Sequence, residues 1–433
     1  MNIIRVITTI ISLFLAGAHY ARGGNMDMTF LAVGLIVLLF EKKKWADLIL
    51  ASAIALTLPV WIHTALRIIV IRQAAAVPWH LAAAILATVT AIALTASVLG
   101  FLSFHQGIKT KEPVGFPSLG AFLLTGTILL AARSKAAMTI LLPDRFFPGS
   151  GMALIILMAW YGAWLAGRFI TSRDTAPLRL RIWIIFSLVF FAQAAIGLLG
   201  VDRFLMTGQL HIPVPAVIIG GPLFRGEGLF MVILFSTTLI LTGSAWCSHL
   251  CYFGAWDNLG ASKKSPTGTL SPTMKAGRHI FLALTIAAAL GLRRGGFSMA
   301  AAAAAGAFGI AGVLVMMLVS RRRGLMVHCT AWCPLGLLAN LGGKLSPFRI
   351  KINDNCTSCM SCKARCRYGA LEKENITSRK PGLTCSLCGD CLSTCKEKAI
   401  TYSFPGLSKD KSRILFLIIV SSLHAAFLNL ARI

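Results

Sequence analysis

The cysteines of this chain stand in short runs whose spacing suits metal chemistry. The sequence has 12 cysteines, and eight of them form two runs of identical C-x2-C-x2-C-x3-C spacing at residues 356–366 and 385–395. The other four form two C-x3-C pairs, Cys247 with Cys251 and Cys329 with Cys333. A disulfide framework would need an oxidising compartment, whereas close C-x2-C repeats favour metal or iron–sulfur ligation.

The two longer runs have the spacing of bacterial two-cluster ferredoxins, in which the fourth cysteine of each run ligates the other cluster. The spacing predicts one [4Fe-4S] cluster on Cys356, Cys359, Cys362 and Cys395, and a second on Cys385, Cys388, Cys391 and Cys366. A zinc ribbon is the alternative, but it usually needs only C-x2-C pairs. Pro usually follows the fourth cysteine. Here Arg367 and Lys396 stand there, and their charge is expected to raise the reduction potentials.

Each C-x3-C pair lies at the end of an apolar stretch, and an i, i+4 spacing would put both thiolates on one helix face. Two such ends side by side would offer four sulfurs to one site. The candidates are a third iron–sulfur cluster, a copper or zinc ion, or a redox-active thiol set. The alternative is four free thiols packed against helices. Trp246 and Trp332 are expected to anchor the interface, and His249 and His328 are candidate partners of the ligands.

Composition places these motifs in a membrane protein. The chain is 56% hydrophobic and 13% charged, about half the charged fraction of a soluble protein. The predicted fold class is an all-α polytopic membrane protein with an inserted α+β two-[4Fe-4S] ferredoxin-like domain. Its eleven predicted transmembrane helices are ranges long or apolar enough to cross ~30 Å of hydrocarbon. They lie near 3–20, 26–40, 46–66, 79–104, 116–133, 150–168, 181–200, 227–246, 279–292, 297–319 and 413–430.

The net charge of +27 sits mostly in short blocks between the apolar runs, a distribution typical of positive-inside topology rather than of nucleic-acid binding. With the N-terminus in the cytoplasm, the inner loops carry more Lys and Arg than the outer loops. All cysteines would then face a reducing compartment. The predicted location is therefore a bacterial-type inner (cytoplasmic) membrane, with an uncleaved first helix and a cytoplasmic ferredoxin domain.

Four domains are predicted. Residues 1–175 form an N-terminal membrane domain of about six helices with no assigned role. Residues 176–343 form a membrane core with both C-x3-C pairs, 344–408 form the ferredoxin domain, and 409–433 form a C-terminal transmembrane helix.

Together the motifs resemble the membrane ferredoxins of the NapH, NosR, MauN and YccM group. The resemblance covers about residues 178–400 and is carried by "LRLRIWIIFSLVFFAQ", "HIPVPAVIIGGPLF", "GSAWCSHLCYFGAWDN", "HCTAWCPLGLL" and the two ferredoxin runs. Members of the group carry two C-x3-C-P motifs. The second stands here as Cys329, Cys333 and Pro334, while the first has Tyr252 in place of Pro. The resemblance implies electron transfer between the quinone pool and a redox partner.

The predicted function is membrane-bound iron–sulfur electron transfer that links the quinone pool to a redox partner protein, as a subunit of a quinone-linked oxidoreductase system. One alternative is a copper reductase or a maturation factor for a respiratory metalloenzyme, and another is a redox-sensing membrane subunit. The expected partners are the lipid bilayer, quinone or quinol and the redox protein, with no nucleic acid.

Two further features were weighed for cofactor binding. His19, His63 and His80 lie near predicted outer span ends, where interfacial roles are favoured over haem b ligation. The Gly- and Pro-rich loop 201–228 is expected to be an outer connection, with re-entry or a quinol site as the alternative. A quinone pocket near Cys247 and Cys333 is preferred to an outer one, because it would lie close to the clusters.

Overall fold

The computed structural model describes residues 2–41, 44–106, 115–136, 139–205, 212–266 and 268–430. These residues are mostly helical. The helices are α1 (Asn2–Arg22), α2 (Met26–Gly34), α3 (Lys44–Ala74), α4 (His80–Gln106), α5 (Gly115–Lys135), α6 (Leu142–Phe146), α7 (Gly151–Thr171), α8 (Ala176–Leu198), α9 (Val217–Arg225), α10 (Phe230–Thr242), α11 (Gly254–Ala261), α12 (Pro272–Gly295), α13 (Ser298–Val315), α14 (Arg321–Arg323), α15 (Pro334–Gly342), α16 (Lys373–Thr377) and α17 (Lys409–Leu430). Strands β1 (Arg349–Ile352) and β2 (Ile400–Ser403) form one antiparallel pair.

Ten helices in the described residues are long and apolar enough to cross a membrane, so the prediction of a multi-pass α-helical membrane protein is supported. These ten helices correspond to all of the predicted spans except the second, and the last of them is α17. The second predicted span is present as a shorter apolar helix, Met26–Phe40. The count of eleven crossings therefore stays a prediction.

The chain divides into two compact units. Unit 1 comprises residues 1–131 and 152–171, and unit 2 comprises residues 132–151 and 172–433. All twelve cysteines belong to unit 2. The domain limits predicted from the sequence stay a prediction.

In unit 1, α3 and α4 pack through small residues. Ala93 and Ala96 are almost fully buried, and Ser97 Oγ donates to the carbonyl oxygen of Ala51 at 3.0 Å. A Cβ on Gly100 would lie 2.9 Å from the Cβ of Ala51. Lipid tails provide no hydrophobic drive for helix association, so van der Waals contact between small residues stabilises such pairs.

A polar cluster marks one end of unit 1. The guanidinium of Arg5 donates to the carboxylate of Asp47, and Ser103 Oγ donates to the same carboxylate at 2.7 Å. The first turns of α1 and α3 therefore lie at the same end as the last turns of α4. The segment Met26–Phe40 runs back to this end, since it separates α1 from α3.

In unit 2, local sequence signals set the helix ends that matter for the cysteines. The N-terminus of α12 is capped by Ser271, whose Oγ accepts from the backbone N–H of Met274, and Pro272 follows at the first position. Helix α9 ends at Gly226 in the left-handed region, with φ of 82°. The β1–β2 pair is held against α17 because Tyr402 stacks on Phe416 with ring centroids 4.6 Å apart.

The close approach of α3 and α4 leads to the first prediction. Replacing Gly100 with Leu should cost about 1–3 kcal/mol, because the larger side chain overpacks the contact with Ala51. The melting temperature of the detergent-solubilised protein is the measurement. Gly306 in α13 has open space around its Cβ direction and is the matched control, so Gly306→Leu should melt like wild type. Equal melting of both variants would contradict the packing argument.

Candidate metal centres

The two C-x3-C pairs share one unusual backbone path. Residues Trp246–Leu250 and His328–Trp332 each form a π turn, after which Cys251 and Cys333 take extended conformations with ψ of 114° and 118°. The backbone N–H groups of Cys251 and Cys333 close these turns onto the carbonyl oxygens of Trp246 and His328. The expectation that both thiolates share one α-helical face is wrong, because the wider turn puts the second cysteine beyond the helix.

After each second cysteine, the chain turns its backbone N–H groups onto the sulfur. The sulfur of Cys251 accepts from the backbone N–H groups of Phe253 and Gly254. The sulfur of Cys333 accepts in the same way from the backbone N–H groups of Leu335 and Gly336. The glycines are needed for space, since a Cβ on Gly254 would lie 2.4 Å from Trp183 and one on Gly336 would lie 2.6 Å from the carbonyl oxygen of Cys329.

The motif C-x3-C-x2-G therefore occurs twice with one geometry. Tyr252 replaces Pro in the first copy without changing the backbone at Cys251. Its ring stacks on Phe190 with centroids 3.9 Å apart. The absence of Pro after Cys251 thus leaves the local donor arrangement intact.

All four of these cysteines line one pocket. Cys247, Cys251, Cys329 and Cys333 are called the span-end cysteines below. Trp246 also lines the pocket and is 3% exposed, so its predicted role as an interface anchor is wrong. It packs edge-on between Phe235 and Phe427, because the turn at Gly243 directs the end of this span into the core.

The pocket receives a residue from the loop 201–228. Pro215 lines it, and the neighbouring Val214 is buried against Gly309 of α13. From there α9 runs to Arg225, and Arg293 at the far end of α12 donates to the carbonyl oxygen of Leu223. Residues 212–225 therefore enter between the helices, and the favoured expectation of an outer connection is wrong for them. Residues 206–211 of the loop lie outside the described residues.

This entry has an electrostatic consequence. Helix α9 begins at Val217, two residues after Pro215, so its N-terminal end is directed to the pocket. The N-terminus of a helix carries a partial positive charge and favours an anion.

Several buried nitrogen atoms near the span-end cysteines have no hydrogen-bond partner among the described residues. They are His328 Nδ1, Trp246 Nε1, and Nε and Nη1 of Arg278. Arg278 is 3% exposed and interacts electrostatically with Cys247. An unpaired buried guanidinium is costly, so this donor set fits a negatively charged group bound between the cysteines.

The ligand types of this pocket fit more than one kind of group. All four span-end sulfurs line it. A single zinc ion would take four such sulfurs at ~2.3 Å, and an iron–sulfur cluster would also take four thiolates.

The ferredoxin runs also separate into two sets of four. One pocket is lined by the second ferredoxin set, Cys366, Cys385, Cys388 and Cys391. Cys362 interacts electrostatically with the other members of the first ferredoxin set, Cys356, Cys359 and Cys395. In each case the structure brings together three cysteines of one run and the fourth cysteine of the other.

Corresponding positions of the two runs have the same strained backbone. Ser358 and Leu387 have φ of 56° and 55°, and Met360 and Gly389 have φ of 62° and 79°. Left-handed backbone is unfavourable for residues other than glycine. It turns successive N–H groups toward a common point, which creates a site for an anion.

The two ferredoxin sets differ in exposure. Cys359 of the first set is exposed, whereas Cys391 of the second set is buried. Burial raises the pKa of Cys366, Cys385 and Cys388 to about 12. These thiols are protonated at neutral pH without a bound group, so ligation as thiolates releases protons.

A buried ion pair fastens the ferredoxin segment to the membrane helices. Arg179 in the first turn of α8 donates to both oxygens of Asp390, at 3.2 and 2.6 Å, and to the carbonyl oxygen of Ser248 at 3.0 Å. Ser248 Oγ in turn donates to the carbonyl oxygen of Ser386 at 2.8 Å. Arg179 is not predicted as a site residue from the sequence, where its only signal is a cation next to an apolar run.

Arg367 takes part in the same attachment. Its guanidinium donates to the carbonyl oxygen of Ala261 at 2.5 Å, and its own carbonyl oxygen accepts from Met326 at 2.8 Å. The replacement of Pro at this position therefore has a docking role, which reasoning from charge alone did not predict.

Comparison with known proteins gives one family match, and it falls on the span-end segments. The family described as "4Fe-4S binding domain" matches residues 224–263 and 303–353, the segments that contain the span-end cysteines. An uncharacterized protein of Methanocaldococcus jannaschii is 26% identical over 175 residues, which are 38% of this chain and 65% of that protein. A second one from the same organism is 30% identical over 79 residues, 18% of this chain and 32% of its own length. No solved structure matches.

The chain thus contains a 4Fe-4S binding domain among membrane-type apolar helices and is a distant homologue of uncharacterized archaeal proteins. It spans less than two thirds of the length of either relative.

The buried ion pair leads to the second prediction. Asp390→Asn leaves the Arg179 charge buried and unpaired, which should cost about 3–5 kcal/mol. Asp174→Asn removes the partner of Arg365 in a pair whose side chains are 37% and 41% exposed, and should cost under about 1 kcal/mol. Melting temperatures of the solubilised variants are compared. Similar shifts for the two would contradict the burial argument.

Proposed function

We propose that this protein is a membrane-bound iron–sulfur electron-transfer protein with three [4Fe-4S] clusters, which links the quinone pool to a redox partner protein. The observation that carries the proposal is that the span-end cysteines lie in segments matched by a 4Fe-4S binding domain. Two hydrogen bonds join these span ends to the ferredoxin segment, from Ser244 to the carbonyl oxygen of Cys385 and from Tyr368 to the carbonyl oxygen of Cys247. Hydrogen bonds thereby connect the membrane helices to the segment that carries the proposed cluster ligands.

The proposed ligands follow the three sets. The span-end cysteines would hold one cluster, with Arg278 and the N-terminus of α9 balancing its negative charge. The first and second ferredoxin sets would hold the other two. A bound [4Fe-4S] cluster supplies transfer of a single electron at a time.

The protein shields the three sets of cysteines from water to different degrees. Cys366 and Cys388 of the second ferredoxin set pack against the same buried cluster as the span-end Cys329, whereas Cys359 of the first set is exposed. On these grounds the second set is proposed to stand between the other two. The exposed set is the exchange point with a soluble redox protein, and the span-end set is the exchange point with quinone or quinol. Oxidation of one quinol to quinone releases two electrons, which two single-electron exchanges with the cluster take up, and two protons, which pass to the solvent. Quinone reduction runs in the opposite direction and takes both up.

Iron and acid-labile sulfide counts test the number of clusters. Anaerobically purified protein should contain about twelve of each per chain, and Cys329→Ser should retain about eight, because only the span-end cluster is lost. Cys391→Ser is the matched control and should lose the second ferredoxin signal instead, as EPR of the reduced protein would record. About eight iron atoms in wild type, unchanged in Cys329→Ser, would contradict a third cluster.

The same preparations separate the functional alternatives. Quinol-dependent reduction of the clusters is expected for electron transfer. Reduction of cupric ion that depends on the span-end cysteines, without quinol-dependent cluster reduction, would instead favour a copper reductase.

We also propose eleven crossings, with the ferredoxin domain on the cytoplasmic side of an inner membrane. The segment Met26–Phe40 joins nine α-helical residues to six in a 3-10 helix, a length of ~25 Å that nearly matches the hydrocarbon core. The contact between Arg5 and Asp47 supports this, because it requires the segment to return to the end where α1 begins.

An epitope inserted at Gly23–Gly24 tests this topology. With eleven crossings, nine separate the epitope from the ferredoxin runs, so it should be accessible from the side opposite residues 356–395. Protease protection in oriented vesicles is the measurement, with an epitope at Gly406 marking the ferredoxin side. Accessibility of both epitopes from one side would show that the segment does not cross.

A further inference from the structure

One aromatic side chain contacts both buried sets of cysteines. Tyr368 follows the fourth cysteine of the first run by two residues and is 5% exposed. Its ring lines the pocket of the second ferredoxin set. Its hydroxyl donates to the carbonyl oxygen of Cys247, a span-end cysteine, at 2.9 Å.

The surroundings of Tyr368 hold the ring in this position. It packs in one cluster with Trp183, Ala255 and Met326, against which Cys329, Cys366 and Cys388 also pack. The indole N–H of Trp183 donates to the carbonyl oxygen of Cys251 at 2.6 Å. Both C-x3-C motifs and both ferredoxin runs therefore contribute a cysteine or a cysteine carbonyl to the shell around one ring.

Neighbouring hydrogen bonds leave little freedom between the two sets. Ser244 Oγ donates to the carbonyl oxygen of Cys385 at 2.5 Å, and Arg179 joins Asp390 to Ser248. The ferredoxin segment is fixed to the ends of the spans by bonds at the cluster-bearing turns themselves. A domain that moved between two positions would have to break a buried ion pair, which is strongly unfavourable.

From this geometry we infer that Tyr368 is the positioning residue that couples the span-end centre to the second ferredoxin centre in a fixed arrangement. The inference rests on the proposed function, because it requires a group in each set. An exchange moves one electron from the reduced centre to the oxidised one, with no bond made or broken and no proton transferred. The Tyr368 ring fills the space between the two sets, and its hydroxyl fixes the turn at Cys247.

Substitutions at Tyr368 test this role against a matched tyrosine. Tyr402 is also buried beside the second ferredoxin set, where its hydroxyl donates to the carbonyl oxygen of Leu387 at 2.7 Å. It packs against Phe416 of α17 rather than against the span-end motifs. A general disturbance of the second set should therefore appear in Tyr402→Leu, whereas loss of coupling should appear only in Tyr368→Leu.

The measurement uses the full-length, cluster-loaded protein in detergent. Rapid mixing with dithionite, which is oxidised as it supplies electrons at the exposed first set, is followed by freeze-quench EPR of the span-end centre. Reduction of that centre should slow at least about tenfold in Tyr368→Leu, which equals ~1.4 kcal/mol of activation free energy. The spin–spin interaction between the two reduced centres should weaken in parallel. Tyr402→Leu should keep the wild-type rate.

The controls separate this inference from the proposed function. Iron, sulfide and melting temperature are measured for each variant, and wild type lacking the span-end iron would refute the three-cluster function instead. With full iron content, a wild-type rate in Tyr368→Leu, or equal slowing in Tyr402→Leu, overturns the coupling role. If Tyr368→Leu loses iron, Tyr368→Phe decides. It keeps the ring but loses the bond to Cys247, and an unchanged rate and spin–spin interaction would overturn the inference.

Discussion

The structure of unit 2 depends on one buried charge. Arg179 lies where α8 begins, almost without solvent exposure, and a guanidinium cannot shed its proton to avoid the cost of burial. Its position is tolerated because Asp390 and the carbonyl oxygen of Ser248 take up its donors. Those partners belong to the ferredoxin segment and to the end of the α10 span, so the cation joins the two halves of the site. The stacking of the guanidinium over Trp183, 5.2 Å from the ring centroid, extends the attachment to the turn at Cys251.

The second organising constraint is positive charge around the pocket of the span-end cysteines that the protein's own carboxylates do not balance. The chain has 42 Lys and Arg but only 15 Asp and Glu, and Arg278 has no partner for two of its buried nitrogens among the described residues. The α9 dipole and the N–H groups directed to Cys251 and Cys333 add further positive potential to the same pocket. Such a site is unfavourable without an anion and favourable with one, so ligand binding and folding of the span-end turns should be linked.

Sequence spacing alone suffices to propose two sets of ferredoxin cysteines, because the same local turns repeat in both runs, and the structure lines one pocket with Cys366, Cys385, Cys388 and Cys391. It did not predict the contacts that carry the docking. Arg179 and Asp390 are 211 residues apart, and no local pattern relates them. The expected helical face of the C-x3-C pairs and the interface role of Trp246 were wrong for a related reason, since the π turn and the buried packing at Phe427 arise from neighbouring elements. The entry of Pro215 likewise depends on the space beside Gly309, which hydropathy does not reveal.

The repeat of the C-x3-C-x2-G motif explains why two separate spans can build one site. Each copy places a second cysteine in extended backbone, two N–H donors on its sulfur and a glycine where a neighbour approaches closely. Because the copies are alike, the two halves can face one pocket with matched donors, and the same chemistry is presented from both sides. Pro215 from the entering loop also lines this pocket, and Tyr368 of the ferredoxin segment donates to the carbonyl oxygen of Cys247. Trp246, Cys251, His328 and Cys333 of the lining are buried, and in such a low-dielectric setting the fixed dipoles and Arg278 interact with a bound anion more strongly than they would in solvent.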